Sequence, residues 1–357
     1  MKYIWHITLP KIVGLILIII AFAIYSIDTI KRPIEAVNSY EFDKISLEIF
    51  SALDVLDPVK LKVGKEEMAK HNVVIAGITR DNIKDFPVMF KHIRYIGSFF
   101  KDYRVILFEN DSKDGTKLAL SLWQELDSRV KIISKDFFNI KRPSHKFMAD
   151  ARNYYLDVLQ DAEYNNFDML IFLDMDMAYG IDIRGIEDSF SKIDRWDAVC
   201  SNGVSSNVGI MHDTFSFRSS EFPWSPETWE KICSKSDLSD SWFEVCEEGR
   251  KYSKGVIYEN LAFRNSWQSV NRLYWLQIMP QLQKIYPVDL DLVPVSSCFG
   301  GMAIYKRKYI DGCKYDSIDN DCEHVVFNQC IKDKNKGRMF LNPAQMIRYS
   351  QYGKREK

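Results

Sequence analysis

From His71 onward the chain alternates between short continuous apolar runs and longer stretches whose apolar positions recur at helical spacing. Asn72–Thr79 is β-rich and ends in the polar Arg80, Asp81 and Asn82, and Ile83–Phe100 follows with helical periodicity, Pro87 falling near its first turn. The unit then repeats. Tyr103–Asn110 reads as a buried strand, Asp111–Thr116 as a turn, and Lys117–Ser128 as an amphipathic helix. Val130–Asp136 makes a third strand and His145–Gln160 a further helix, before the apolar run Phe167–Leu173 reaches Asp174 and Asp176. Strands alternating with helices predict an α/β domain, a mainly parallel sheet covered on both faces.

The amino-terminal part follows another pattern. Ile12–Ile27 holds sixteen residues without a charge, bounded by Lys11 and Asp28. A membrane span needs about 17 to 25 apolar residues, and Lys11 extends this run by snorkelling while Trp5 and Tyr25 suit the interfaces. The run reads as a single-pass anchor, with two competing accounts: a cleaved secretory signal, since Ala21-Phe22-Ala23 offers a cleavage site, or a buried helix. Lys2 and Lys11 on one side and Lys31 and Arg32 on the other leave orientation open. The expected organisation is a tail (1–11), an anchor or signal (12–27), a charged stem (28–70) and one catalytic domain (71–350).

Composition narrows the function. Of 357 residues 46% are hydrophobic and 27% charged, enough for a sizeable core, and 48 Lys plus Arg against 49 Asp plus Glu leave a net charge of -1. No basic tract stands out, which argues against a nucleic-acid partner. All seven cysteines lie beyond residue 199 and none forms a C-x-x-C pair. A zinc cage is disfavoured, leaving disulfides or scattered buried thiols, with at least one cysteine unpaired by the odd count.

In sheets of this kind ligands bind beyond the carboxyl ends of the strands, so the polar residues there carry the chemistry. They are Thr79, Arg80 and Asp81, then Glu109, Asn110 and Asp111, then Asp174 and Asp176. Neither G-x-G-x-x-G nor a P-loop follows any of these strands, so dinucleotide oxidoreductases and P-loop phosphotransferases lack support. Asp174 and Asp176, one residue apart, point the same way from a strand end. Such oxygen donors suit Mn²⁺ or Mg²⁺, which need only one or two protein carboxylates when phosphates supply further ligands; the blander account is a pair of loop-capping carboxylates.

Taken in order, Glu109-Asn110-Asp111-Ser112-Lys113-Asp114-Gly115-Thr116, Ala151-Arg152-Asn153 and Leu173-Asp174-Met175-Asp176 resemble the sugar-nucleotide-dependent glycosyltransferases of GT-A fold. The resemblance runs from about Asn72 to Asn342. The first segment is similar to that fold's D-D-G-S-x-D-G-T turn, although Glu109 stands where Asp is usual. The A-R-N helix and His212-Asp213-Thr214-Phe215-Ser216-Phe217-Arg218 look more specifically like fungal capsule and Golgi mannosyltransferases.

The resemblance implies a divalent metal, Mn²⁺ or Mg²⁺, held by Asp174 and Asp176 with His324 as third ligand, and a GDP-mannose or UDP-hexose donor. It implies donor contacts at Thr79, Arg80, Glu109, Asp111, Arg152, Asp174, Gly300 and Gly301, with Asp213 near the transferred sugar and Asp114 capping the next helix. Glu323, expected to begin a helix facing the glycan or glycoconjugate acceptor, would act as general base if the reaction inverts the anomeric centre, or position the acceptor if it retains configuration. In a eukaryotic cell the catalytic domain would lie in the lumen of the endoplasmic reticulum or Golgi.

Competing accounts accompany these roles. Gly300-Gly301 also suits a turn or bulge, and His324 a structural histidine. The aromatic-rich stretch from about Pro223 to Gln283 suits core packing or an acceptor platform. Two rival functions stand beside glycosyl transfer. One is a metal-dependent nucleotidyltransferase or phosphodiesterase, which needs more carboxylates around two ions. The other is a non-catalytic carbohydrate-binding scaffold, which has no need of paired carboxylates.

Overall fold

The computed structural model describes residues 51–137, 144–176, 180–205, 210–211, 213, 216–219, 285–318 and 322–349. The expected tail, the anchor or signal, the first part of the stem and the aromatic-rich stretch lie outside the described residues. Among the described residues no helix is long and apolar enough to cross a membrane.

Nine strands, β1 (Asn72–Thr79), β2 (Asp102–Asn110), β3 (Val130–Lys135), β4 (Met169–Leu173), β5 (Ala198–Ser205), β6 (Ile210–Met211), β7 (Val293–Pro294), β8 (Met302–Lys306) and β9 (Met339–Tyr349), form one sheet among the described residues. Its order is β3-β2-β1-β4-β8-β5-β9-β7, with β6 on β5. Among the described residues six α-helices accompany it: α1 (Pro58–Met68), α2 (Phe86–Gly97), α3 (Thr116–Leu126), α4 (His145–Val158), α5 (Ile183–Phe190) and α6 (Glu323–Asp333).

The half built from β1 to β4 is parallel, as the alternation of strands and helices predicts. Beyond β4 the sheet is mixed, which corrects the expectation of a mainly parallel sheet throughout. β8 runs antiparallel to both β4 and β5, pairing Met302 with Leu173 and Lys306 with Met169. Its chain arrives through the loop after β7 rather than through a crossover helix, so β8 begins where β4 ends.

Period-two alternation along the strands divides the core. Ile75, Leu107, Ile171 and Leu173 face one side, against Phe90 and Ile93 of α2, Leu120 and Trp123 of α3, and Phe190 of α5. Val74, Ala76, Leu170 and Phe172 face the other, against Ala149 and Tyr155 of α4 and Phe327 and Ile331 of α6. Both faces are covered, which is why these strands read as unbroken apolar runs.

Residues 51–68, expected in the stem, pack on this domain. Asp57 caps α1 by accepting from the Val59 N–H at 2.9 Å, and Pro58 occupies its first turn. Leu53 and Met68 are buried. A Cβ on Gly64 would lie 1.8 Å from the Glu187 carbonyl oxygen, so only glycine lets α1 approach α5 this closely. Asp54 pairs with Arg184 at 2.7 Å across the same contact.

Among the described residues four cysteines pair. Cys200–Cys298 and Cys313–Cys330 are disulfides with Cα separations of 5.9 and 5.7 Å, and Cys322 is a buried thiol outside both.

At the amino end of β1, the His71 imidazole meets Asp168 at 2.6 Å and Glu67 at 3.2 Å, tying α1 to the start of β4. The Asp168 hydrogen bond raises the His71 pKa against the opposing effect of burial. Burial would raise Asp168, but its bonds from His71 and the Asn72 N–H bring it below the ordinary carboxylate range. A raised histidine stabilises fully below its unfolded value of about 6.5 and stops doing so as pH rises through its folded value; a lowered aspartate stabilises above about 3.9 and stops as pH falls through its own. His71→Gln is therefore expected to cost about 0.5–1 kcal/mol near pH 5.5, the scale of partly exposed pairs, and clearly less near pH 9. Urea unfolding at the two pH values checks this.

Candidate active site

Three strand ends and the start of α6 converge on the site. After β4, the Asp174 N–H donates to the Gly301 carbonyl at 2.9 Å, fixing where the first acidic side chain leaves the sheet. Met175 turns inward and Asp176 is exposed, so the two carboxylates flank an apolar residue of opposite sense. Gly300 and Gly301 hold φ of 63° and 88°. A Cβ on Gly300 would lie 2.2 Å from the Ser201 carbonyl oxygen, so the glycine is required by a close backbone approach to β5.

The loops after β1 and β2 lace together. Asp81 accepts from the Lys113 N–H at 2.6 Å and its own N–H donates to Ser112 Oγ at 3.0 Å. Asp114 accepts from the Thr116 N–H and the Ile83 N–H, each at 3.0 Å, and so caps α3 while holding the neighbouring loop. Asn82 donates its side-chain amide to the Met175 carbonyl, joining that loop to the acidic one. Glu109 accepts from the Ser112 N–H at 2.9 Å and the Ser134 hydroxyl at 2.5 Å, and Asp111 accepts from the Phe137 N–H at 2.8 Å.

A cavity of about 790 Å³ opens where these loops meet. It is lined by Thr79, Arg80, Arg152, Asp174, Asp176, Asp213, Glu323 and His324, with Asn82, His145 and Phe299 beside them. Glu109, Asp111, Gly300 and Gly301 lie outside this lining, the first two engaged by Ser112, Ser134 and Phe137 and the glycines forming the turn behind. Thr79 presents a buried hydroxyl without a hydrogen-bond partner.

Arg152 organises the charges. It is 2% exposed on α4, with Nε donating to Glu323 at 3.1 Å, Nη2 donating to Asp174 at 3.3 Å, and its guanidinium 5.1 Å from the Phe299 ring centroid. Burial raises the Asp174 carboxyl, Arg152 opposes the rise, and Asp176 and Asp213 add to it. Asp213, at φ 60°, accepts from the Ser216 hydroxyl at 2.6 Å. Its carboxyl is pushed up to about 6, chiefly by burial, with the Ser216 bond opposing and the Glu323 charge adding.

Glu323 behaves differently. Burial alone would raise it, but the neighbouring His145 imidazole at 3.6 Å and the Arg152 charge hold it well below the ordinary range; burial keeps His324 neutral, so that ring adds little charge to the balance. A carboxylate held this low is a weak base. His324 stacks on Phe299 at 3.8 Å, stands edge-on to Tyr315 at 5.5 Å, and leaves both ring nitrogens without hydrogen-bond partners.

Among the described residues no three His, Cys, Asp or Glu side chains are grouped closely enough to hold an ion, so His324 is not brought into a ligand set with the carboxylates. Asp174 and Asp176 remain as two acidic donors, the number Mn²⁺ or Mg²⁺ takes from protein when a diphosphate completes its shell. The mutual repulsion of Asp174, Asp176 and Asp213 is the charge imbalance that such a cation relieves. Asn82, His145, Phe299 and Ser216 belong to the site without having been singled out by sequence. For His145 a signal existed, since it stands seven residues before Arg152 on one predicted helix face.

No protein-family model matches the chain, and no curated protein matches it. Among solved structures it is similar to the mannosyltransferase PcManGT from Pyrobaculum calidifontis in complex with GDP-Man and Mn²⁺, at 11% identity and a TM-score of 0.41 over 92% of this chain and 70% of that one. It is similar to residues 1–349 of TarS of S. aureus at 11% identity and a TM-score of 0.39, over 78% of this chain and 60% of that chain. Glucosyl-3-phosphoglycerate synthase from Mycobacterium tuberculosis, in complex with Mn²⁺, uridine diphosphate and glucosyl-3-phosphoglycerate, matches at 10% identity and a TM-score of 0.33 over 81% of this chain and 72% of that one. Likeness this loose carries no argument for a shared donor or acceptor.

Removing Arg152 alone strands buried carboxylates, whereas removing Glu323 with it takes away the principal one. Arg152→Leu is expected to cost about 3–5 kcal/mol, and Arg152→Leu with Glu323→Leu distinctly less than that single change. Urea midpoints of the two variants test the coupling, and a double variant no more stable than the single one would show that the ion pair does not govern this part of the core.

Proposed function

We propose that the chain is a metal-dependent glycosyltransferase of GT-A type that moves a hexose from a nucleotide sugar to a glycan or glycoconjugate acceptor. The observation that carries this reading is the single cavity holding Asp174 and Asp176 at the end of β4 together with Arg80, Arg152, Asp213 and Glu323. Two carboxylates suit one ion shared with a diphosphate; the described residues contain no larger acidic cluster of the sort a two-metal nucleotidyl-transfer site uses. Mannose, with GDP-mannose as donor, is the finer proposal, resting on the likeness of Ala151-Arg152-Asn153 and the segment around Asp213 to fungal mannosyltransferases.

Asp174 and Asp176 would hold Mn²⁺ or Mg²⁺, which would supply Lewis-acid stabilisation of the charge developing on the departing nucleoside diphosphate. The protein's own groups do the rest. Arg152 holds Asp174 and Glu323 in fixed relation, Arg80 offers a cation at the loop after β1, and Phe299 gives the cavity an apolar wall. Glu323, ionised and clamped, is suited to orienting rather than to accepting a proton. We place the catalytic domain on the lumenal side of a membrane, anchored through residues 12–27; the two disulfides support an oxidising compartment.

Asp176→Asn removes a charged donor at an exposed strand end without touching the core, so the variant is expected to unfold at the wild-type urea midpoint while Mn²⁺-dependent GDP binding weakens by about tenfold or more. Calorimetry with GDP, with and without Mn²⁺, measures it, and undiminished binding would remove the proposed metal site. Release of nucleoside diphosphate rather than pyrophosphate separates glycosyl from nucleotidyl transfer.

A further inference from the structure

We propose that His145 is the general base that activates the acceptor hydroxyl, with Glu323 as the positioning residue that orients its ring. The inference rests on the glycosyl-transfer reading and takes the inverting course.

His145 begins α4, one residue after the Ser144 cap that accepts from the Phe147 N–H at 3.1 Å. Arg152 lies two turns further along the same helix, on the same face. Both reach Glu323, at opposite oxygens: Arg152 Nε lies 3.1 Å from Oε1, and His145 Nδ1 lies 3.6 Å from Oε2. One helix therefore clamps one carboxylate from two sides. Asp174, Arg152, Glu323 and His145 form a series of neighbouring polar groups at separations of 3.3, 3.1 and 3.6 Å along the cavity. Arg152 and Glu323 are buried, with side-chain exposures of 3% and 6%, and His145 is the most exposed of the four at 43%, against 23% for Asp174. The imidazole is the member of the series that an incoming acceptor can reach.

The other carboxylates are otherwise engaged. Asp174 and Asp176 lie at the cation site, Glu323 is held ionised by its two clamps, and Asp213 accepts from Ser216 Oγ at 2.6 Å. A buried carboxylate beside one imidazole nitrogen favours the hydrogen on that nitrogen and stabilises the imidazolium that forms when the other takes a proton. Nδ1, which faces Glu323 Oε2 at 3.6 Å, keeps its hydrogen, and Nε2 takes the proton of the acceptor hydroxyl. As that O–H bond breaks, the acceptor oxygen bonds to the anomeric carbon. The bond from that carbon to the diphosphate oxygen breaks in the same step, and its electron pair leaves with the nucleoside diphosphate. The exposed ring then returns its proton to water.

The test uses the full chain with Mn²⁺ and GDP-mannose, water serving as acceptor, and follows GDP release. His145→Ala is expected to lower kcat by about 100-fold with KM for donor little changed, the scale of a lost general base. Because the ring sits at the cavity mouth, added imidazole should restore a measurable part of that loss, and should restore nothing in Asp213→Asn. His145→Gln, which keeps a side chain at the position, should be as slow as His145→Ala but insensitive to imidazole. Mn²⁺-dependent GDP binding by calorimetry reports whether each variant is folded. Wild-type kcat in His145→Ala, or a defect in that variant that imidazole leaves untouched while GDP still binds, would overturn the assignment of His145 alone. Failure of the wild-type chain to release GDP from GDP-mannose, or UDP from UDP-glucose, would overturn the glycosyl-transfer reading and this assignment with it.

Discussion

A buried guanidinium between two carboxylates is costly to assemble and strongly destabilising to break, because each charge left unpaired in a low-dielectric interior bears its full desolvation penalty. Arg152 occupies that position, with Glu323 at 3.1 Å and Asp174 at 3.3 Å. The three residues come from α4, the first turn of α6 and the end of β4, elements that share no local contact in sequence. Their mutual need for neutralisation therefore sets how the two helices sit over the sheet. Phe299, Tyr315 and Phe327 wall the pair off from solvent, which strengthens the electrostatics and raises the cost of misplacement together.

The sheet serves this arrangement. Because β8 runs back beside β4, the turn that starts it lies at the tip from which Asp174 emerges, and one backbone hydrogen bond from Asp174 to Gly301 couples them. Gly203 and Gly300 allow the two backbones to meet, a Cβ on Gly203 lying 2.4 Å from the Gly300 oxygen. The acidic strand end is thus held by main chain on one side and by Arg152 on the other, which leaves its side chains fixed before any ligand arrives.

Much of the first half of the domain was legible in the residue pattern, since strands buried on both faces must be continuously apolar and their polar ends are marked by that contrast. Asp174 and Asp176 stood out for this reason. β8 was not legible in direction, because its partners in β4 and β5 lie more than a hundred residues away and nothing local encodes antiparallel pairing. α1 was taken for stem because its exposed residues, Lys60, Lys62 and Glu66 among them, outnumber the few that pack, Gly64 and Met68. The clamp on Glu323 escaped for a different reason. Its members are 171 residues apart, and an ion pair of that separation exists only once the sheet has brought two helices together. Glu109 shows the opposite case, a motif position whose carboxylate is consumed by Ser112 of its own turn and Ser134 of the neighbouring β3.

The disulfide between Cys200 and Cys298 joins β5 to the residues just ahead of Phe299 and Gly300, across a sequence separation of 98. Closing a ring of that length removes denatured-state entropy worth about 4–5 kcal/mol in the chain-entropy account. Its placement has a second effect. The bond, together with the short bridge between Arg218 and Ser297, ties β5 and the residues after Asp213 to the turn that carries Phe299 and Gly300, so the floor of the cavity rests on a covalent link as well as on main-chain hydrogen bonds.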